Sequence, residues 1–395
     1  MDRGLRSGAG DVWVNPSAGQ VYPGVSSTEV LAFHSHLPGY EPTHLRDLPL
    51  LAEQLGIARL WVKEETWRIG LPSFKILGAS WAIYQALLAR VGDVSAAYDL
   101  EDLRSALAEV GPPTLLAATD GNHGRAVARM ALMLGLTARI YVPDGTVAAR
   151  IEAIESEGAS VVVVDGDYDE AVRRSADDED ACSLVVSDTS WPGYEQVPTW
   201  VSEGYATIFA EVDRQLAEAD GGSPATVVVP AGVGALASAA LRHYRSGDKG
   251  RQTRVVTVEP QSAACVLRSL RAGQLVTVPG PHRSIMAGLN CGTPSLLAWP
   301  LLAAGVSAAV AIDDEQACWS MCRLADFGIE AGETGAAALG GLASLLGEAA
   351  PSTLHAAGLG PEASVLVLVT EGPTDPDRYE AVVGRPPRGR PGPDR

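Results

Sequence analysis

Short apolar runs recur along the chain, separated by longer stretches rich in Ala and Leu. The runs Leu60–Val62, Leu115–Ala118, Ala138–Val142, Ser160–Val164, Thr226–Val229, Val255–Glu259, Ala308–Ile312 and Ser364–Thr370 are apolar at nearly every position, without a polar residue at each second place. That pattern predicts strands buried on both faces, as in a parallel sheet, rather than half-exposed antiparallel strands. Between them, Ser80–Arg90, Gly124–Leu134, Val147–Glu157, Leu236–Arg245, Ser262–Ala272 and Glu333–Gly347 read as helices. Strand and helix in alternation predict an α/β fold with mainly parallel sheets flanked by helices.

The ends read differently. Residues 1–25 are rich in Gly, Ser and Pro and are expected to form a partly ordered lead-in. The stretch Gly384–Arg395 (GRPPRGRPGPDR) has nothing to bury, so residues 385–395 are expected to be a disordered tail. The acidic run Asp177–Asp180 is expected in a loop near a lobe boundary. Thr293–Ile312 carries no charge and is long enough by count to span a bilayer. Pro294 and Pro300 interrupt it, so it reads as a helix followed by the strand Ala308–Ile312. Residues 1–20 lack a basic start followed by an apolar run, so a soluble, cytoplasmic protein is expected.

Length and charge narrow the partners. A chain of 395 residues predicts two or three lobes. A net charge of −18 repels phosphate backbones and anionic lipid, so neither nucleic acid nor membrane is an expected partner. Five cysteines are too few for a disulfide scaffold, and no C-x-x-C occurs. Cys318 and Cys322 lie one helical turn apart with no histidine nearby, so no metal site is expected. The chain has only three lysines, Lys63, Lys75 and Lys249, and chemistry that needs a primary amine must choose among them.

Three segments carry candidate chemistry. In Thr226–Ala237 a strand runs into the loop Ala231-Gly-Val-Gly-Ala-Leu236 and then a helix start, where backbone N–H groups can close around an anion. Gly232-x-Gly234-x-x-Ala237 also matches the dinucleotide pattern, with Glu259 where a ribose-binding acid would stand, so the loop alone leaves an NAD-binding oxidoreductase open. In Leu71–Ser80, Lys75 precedes a helix between Phe74 and Ile76, and such flanks favour the uncharged amine that attacks a carbonyl. Lys63 reads as paired with acids, and Lys249 as solvated. In Thr119-Asp-Gly-Asn-His-Gly124 a strand turns into a helix; its glycines admit close backbone approach and Asn122 can bond to a ring oxygen. His123 reads as packing within that turn.

Ser73-Phe-Lys75, then Gly121-Asn-His-Gly124, then the glycine loop and the late apolar strand resemble the tryptophan-synthase-β, or fold type II, group of pyridoxal-phosphate enzymes. Within it the chain is similar to the diaminopropionate ammonia-lyase family from Pro38-Gly-Tyr-Glu-Pro-Thr-His-Leu45 to Thr370-Glu-Gly-Pro-Thr374. Asp120, where most relatives of the group carry Ser, and Asp188-Thr-Ser-Trp-Pro-Gly-Tyr194 with Glu203-Gly-Tyr205 carry that narrower likeness. His44, Ala79 and Trp81 depart from the family pattern, and Cys322–Glu333 is shorter than the family's loop before Gly332-Glu-Thr-Gly335.

The resemblance implies two open, mainly parallel twisted sheets flanked by helices. It divides the chain into a large cofactor domain of residues 1–84 and 196–384 and a small domain of residues 85–195. It implies pyridoxal 5'-phosphate as cofactor, a small amino acid as substrate and a homodimer. Lys75 would carry the cofactor, Phe74 would lie beside it, and Asn122 would meet its 3-hydroxyl. Gly232, Val233, Gly234, Ala235 and Leu236 would hold the phosphate, and Thr370 (with Glu371 as rival) the pyridine nitrogen. Asp120 and Asp188 would remove the Cα proton on opposite faces, and 2,3-diaminopropionate would pass through aminoacrylate to pyruvate and two ammonia. Elimination or replacement on another β-substituted alanine, as in serine and threonine dehydratases, uses the same groups. Cys265 and Cys291 match positions that resemble a bridged pair in the family.

Overall fold

The structure is a computed structural model that describes residues 11–19, 27–92, 99–119, 121–245 and 253–389. Eleven described strands build two sheets. In chain order they are β1 (Asp11–Val14), β2 (Leu45–Asp47), β3 (Arg59–Glu64), β4 (Thr114–Ala118), β5 (Ala138–Pro143), β6 (Ser160–Val164), β7 (Ser183–Val185), β8 (Thr226–Pro230), β9 (Arg254–Pro260), β10 (Ala308–Ile312) and β11 (Ser364–Val369). The larger sheet has the order β1-β10-β9-β8-β11-β3-β2, and the smaller β6-β5-β4-β7. All pairings of the smaller sheet are parallel, as are the central pairings of the larger. Only the edge strands β1 and β2 pair antiparallel, with β10 and β3.

Seven of the eight apolar runs are interior strands, and β8 and β10 are buried throughout. The eighth, Ser160–Val164, is the edge strand β6 of the smaller sheet, with Val163 exposed, against the expectation of burial on both faces. Helix Glu333–Glu348 lies under the larger sheet, with every residue from Glu333 to Leu345 buried. Helix Lys75–Val91 packs against helix Gln196–Gly204 at two glycines. A Cβ on Gly204 would stand 2.4 Å from the Leu77 carbonyl oxygen, and one on Gly78 would stand 2.5 Å from Cε1 of Tyr205. No side chain fits there, so the backbones meet directly and the start of the Lys75 helix is fixed.

A buried charge cluster supports the segment leading to that helix. Lys63 donates to Glu211 at 2.7 Å, and Arg68 contacts both Glu211 (2.7 Å) and Glu65 (2.5 Å), with every one of these side chains fully buried. Burial alone would raise the Glu211 carboxyl, but the Arg68 and Lys63 charges hold it well below its ordinary range. Lys63 is thus paired as expected, though with a distant acid rather than the neighbouring Glu64.

The structure corrects several expectations. Within the expected lead-in, residues 11–14 form β1 in the sheet. Of the acidic run, Asp177 ends helix Tyr168–Asp177 and Asp178–Asp180 lie in the loop to β7 of the smaller sheet, with Asp178 accepting from the Tyr141 hydroxyl at 2.7 Å. In the expected tail, Arg385 donates to the Ala325 carbonyl at 2.6 Å and the Arg388 amide to Glu330 at 3.0 Å. Asp120 and Lys249 lie outside the described residues. Among the described residues, no helix is long and apolar enough to cross a membrane, and the charge-free stretch is helix Trp299–Gly305 followed by β10.

Candidate active site

In open α/β sheets ligands bind beyond the carboxyl ends of the parallel strands. The candidate residues sit there: Asn122 after β4, Asp188 after β7, the glycine loop after β8, and Thr370 after β11. They line one cavity of about 470 Å³ that also includes Phe74 and Lys75.

Lys75 reaches this cavity by a separate route. After β3 the chain turns back at Ile69 (φ 51°) and Gly70 (φ 76°), closed by reciprocal bonds between Arg68 and Leu71 of 2.7 and 3.0 Å. Ser73 then bridges to Glu371, and the Gly372 amide donates to the Pro72 carbonyl at 2.8 Å. The lysine's helix is thereby laid against the end of β11. Phe74, largely buried, packs edge-on against the Tyr205 ring at 4.7 Å.

The Lys75 ammonium donates to Asp188 Oδ2 at 2.6 Å, and the Tyr168 hydroxyl donates to Oδ1 at 3.2 Å. Burial by itself would raise the Asp188 carboxyl. The Lys75 and His123 charges and the two hydrogen bonds outweigh it and hold the carboxyl well below its ordinary range. His123 packs in its turn, with Nε2 2.8 Å from the Val186 carbonyl oxygen.

Asn122 opens helix Asn122–Leu134 and its amide donates to the Glu371 carboxylate. Glu371 is therefore engaged, whereas the buried Thr370 hydroxyl beside it has no hydrogen-bond partner among the described residues. A buried hydroxyl of this kind calls for a partner from a ligand. The glycine loop supplies the other end of the cavity. Helix Ala235–Tyr244 starts there, and its first-turn N–H groups lack intrahelical acceptors. Gly234 has φ 92°, and a Cβ on it would stand 2.5 Å from Leu302 Cδ1; a Cβ on Gly232 would stand 3.0 Å from Cys291 Sγ. An amine, an orphan hydroxyl and an amide-lined anion cradle around one cavity fit pyridoxal phosphate.

Gly234→Ala should therefore cost about 1–3 kcal/mol of stability and abolish tight cofactor binding, because both the left-handed backbone and the space are denied. Urea unfolding and titration with the cofactor check both parts.

The dinucleotide reading fails on Glu259. Its buried carboxylate accepts from the Val266 and Leu267 amides at 2.7 and 2.8 Å, at the start of helix Cys265–Ala272, so it holds a helix rather than a ribose. Burial pushes its pKa up to about 8 despite these bonds. None of the five cysteines is in a disulfide. Cys265 Sγ is 3.6 Å from the Gly232 carbonyl oxygen and Cys291 borders the same glycine, so the two flank the cradle unbridged. Tyr168 and Tyr205 line the cavity without having been singled out. Tyr205 belongs to a motif quoted above, but Tyr168 has no sequence signal that separates it from a surface tyrosine.

The pyridoxal-phosphate dependent enzyme family matches residues 36–371. The diaminopropionate ammonia-lyase of Salmonella typhimurium (strain LT2) is 36% identical over 372 residues, 90% of this chain and 91% of that protein. That of Escherichia coli (strain K12) is 38% identical over 358 residues, 89% of each. The crystal structure of the Escherichia coli enzyme in complex with an aminoacrylate-PLP azomethine reaction intermediate matches with a TM-score of 0.85 at 34% identity, covering 95% of this chain and 96% of that one. Fold and site together define a pyridoxal-phosphate-dependent enzyme of fold type II. Within that class the chain belongs to the diaminopropionate ammonia-lyase family.

Proposed function

We propose that the protein cleaves 2,3-diaminopropionate, with one water, to pyruvate and two ammonia. The identity to diaminopropionate ammonia-lyases over about nine-tenths of both chains carries this reading. Pyridoxal phosphate, when bound, supplies an electron-poor ring that stabilises negative charge at the substrate Cα. Lys75 tethers it, with Phe74 beside it. Asn122 serves its 3-hydroxyl, Thr370 its pyridine nitrogen, and residues 232–236 its phosphate. The single cavity and the orphan Thr370 hydroxyl support these roles.

Asp188 accepts the Cα proton on one face and Asp120 on the other. Asp188 is ionised beside the Lys75 ammonium, and what chiefly holds it so is that cation. Once the Lys75 nitrogen is no longer a cation at this place, burial dominates and the carboxylate becomes more basic, as proton removal requires. Lys75, taking from Asp188 the proton removed from Cα across their 2.6 Å contact, can then pass it to the departing β-nitrogen. The remaining 2-aminoacrylate takes up water and yields pyruvate and the second ammonia.

Formation of the 2-oxo acid (pyruvate from D- and L-diaminopropionate and D- and L-serine, 2-oxobutyrate from threonine) tests the substrate. Diaminopropionate should be the preferred substrate by a wide margin; turnover of serine or threonine without it would overturn the reading in favour of a dehydratase. We also propose the division into a discontinuous large domain (1–84 and 196–384) and a small one (85–195). The strands of the larger sheet, all before residue 65 or after residue 225, support it. Cytoplasmic residence is proposed as well, because five cysteines in 395 residues are too few for the disulfide scaffold typical of oxidising compartments. A homodimer rests on the resemblance to fold type II enzymes, and sedimentation equilibrium tests it.

A further inference from the structure

Tyr205 follows helix Gln196–Gly204, lines the cavity and is fully buried. Its ring cannot turn away, because Phe74 packs against one side at 4.7 Å and Gly78 closes on Cε1 so tightly that a Cβ would stand 2.5 Å away. Yet its hydroxyl has no hydrogen-bond partner among the described residues. A buried phenol without an acceptor is costly, and a ligand that supplies the acceptor would satisfy it.

The surroundings say which part of the ligand this is. One turn earlier, Ser202 Oγ lies 3.2 Å from the Ala235 carbonyl oxygen and 2.9 Å from Ser238 Oγ. The same helix end thus rests on the first turn of the helix that forms the anion cradle. On its other side Gly204 abuts Leu77, just after Lys75. Tyr205 thus follows a helix end that touches both the lysine's helix and the first turn of the cradle's helix, and Lys75 and Asp188 act on its phenol electrostatically. Burial pushes the phenol's pKa up, so it remains a protonated donor across the working range.

We propose that the Tyr205 hydroxyl donates a hydrogen bond to the phosphate of bound pyridoxal phosphate, adding a side-chain donor to the backbone N–H groups of residues 232–236. This rests on the reading that the phosphate occupies that cradle. The full-length Tyr205→Phe protein, stripped of cofactor, is titrated with pyridoxal phosphate and separately with pyridoxal, which lacks the phosphate. Loss of a bond to a charged acceptor should weaken pyridoxal phosphate binding at least about tenfold and leave pyridoxal binding unchanged. The melting temperature of the apoprotein should hold or rise, because the hydroxyl has no protein partner to lose. Equal weakening of both ligands, no weakening of either, or a lowered apoprotein melting temperature would overturn the inference. The reading beneath it fails separately: the wild-type apoprotein would then bind pyridoxal phosphate no more tightly than pyridoxal, and Gly234→Ala would leave both unchanged.

Discussion

Replacing Lys75 by alanine should reduce pyruvate formation from diaminopropionate by about 10⁴-fold or more, because the same amine both tethers the cofactor and moves protons. No other described lysine can substitute. Lys63 is fully buried and tied to Glu211 at 2.7 Å, and pulling it out would leave carboxylates unpaired. Borohydride reduction of the holoenzyme followed by peptide mapping should place the pyridoxyl group on Lys75. A label on Lys63 or Lys249 would overturn the assignment.

The same substitution has a pH signature in the apoprotein. Asp188 is held below its ordinary range mainly by the Lys75 charge, so in the wild type it contributes stability that is present above the unfolded carboxyl value, about 3.9, and lost as pH falls through its lower folded value. In Lys75→Ala that attraction is gone and burial raises the folded value instead. The carboxylate then costs stability, increasingly as pH rises. The melting-temperature gap between variant and wild type should therefore widen as pH rises, first below about pH 4 as the wild type gains stability and then above it as the variant loses stability, whereas a gap independent of pH would mean that the pair does not govern Asp188.

What was legible in the sequence follows from burial. The central strands must be apolar on both faces, so Thr226–Pro230 and Ser364–Val369 announced themselves. The edge strands of the larger sheet did not: Asp11–Val14 is only half-buried, and Leu45–Asp47 ends in exposed Asp47, since an edge has one face or rim in water. Helix Gln196–Gly204 was hidden by Pro198 in its first turn, a place where proline is tolerated but reads as a break. At the site, lysine scarcity and the glycine loop pointed the right way because each is a local feature. The Asp188 shift and the orphan hydroxyls of Thr370 and Tyr205 depend on which groups from distant segments meet, and no local pattern records that.

The two acids give the sharpest stereochemical test. Asp188→Asn keeps the shape and one oxygen, which can accept from Lys75 or from Tyr168 but not from both, and it can no longer take a proton. Loss of a positioned base should lower the rate by about 10²–10⁴-fold. Because the Cα protons of D- and L-diaminopropionate point to opposite faces when the other substituents are held alike, Asp188→Asn should suppress turnover of one enantiomer and largely spare the other. Asp120→Asn should do the reverse; its neighbours Thr119 and Asn122 both line the cavity. Steady-state rates of both variants on both enantiomers, with deuterium at Cα to confirm that proton removal is the slowed step, decide the matter. If each variant lost equally on both enantiomers, the acids would act together in one catalytic step, and the assignment of one base to each face would be wrong.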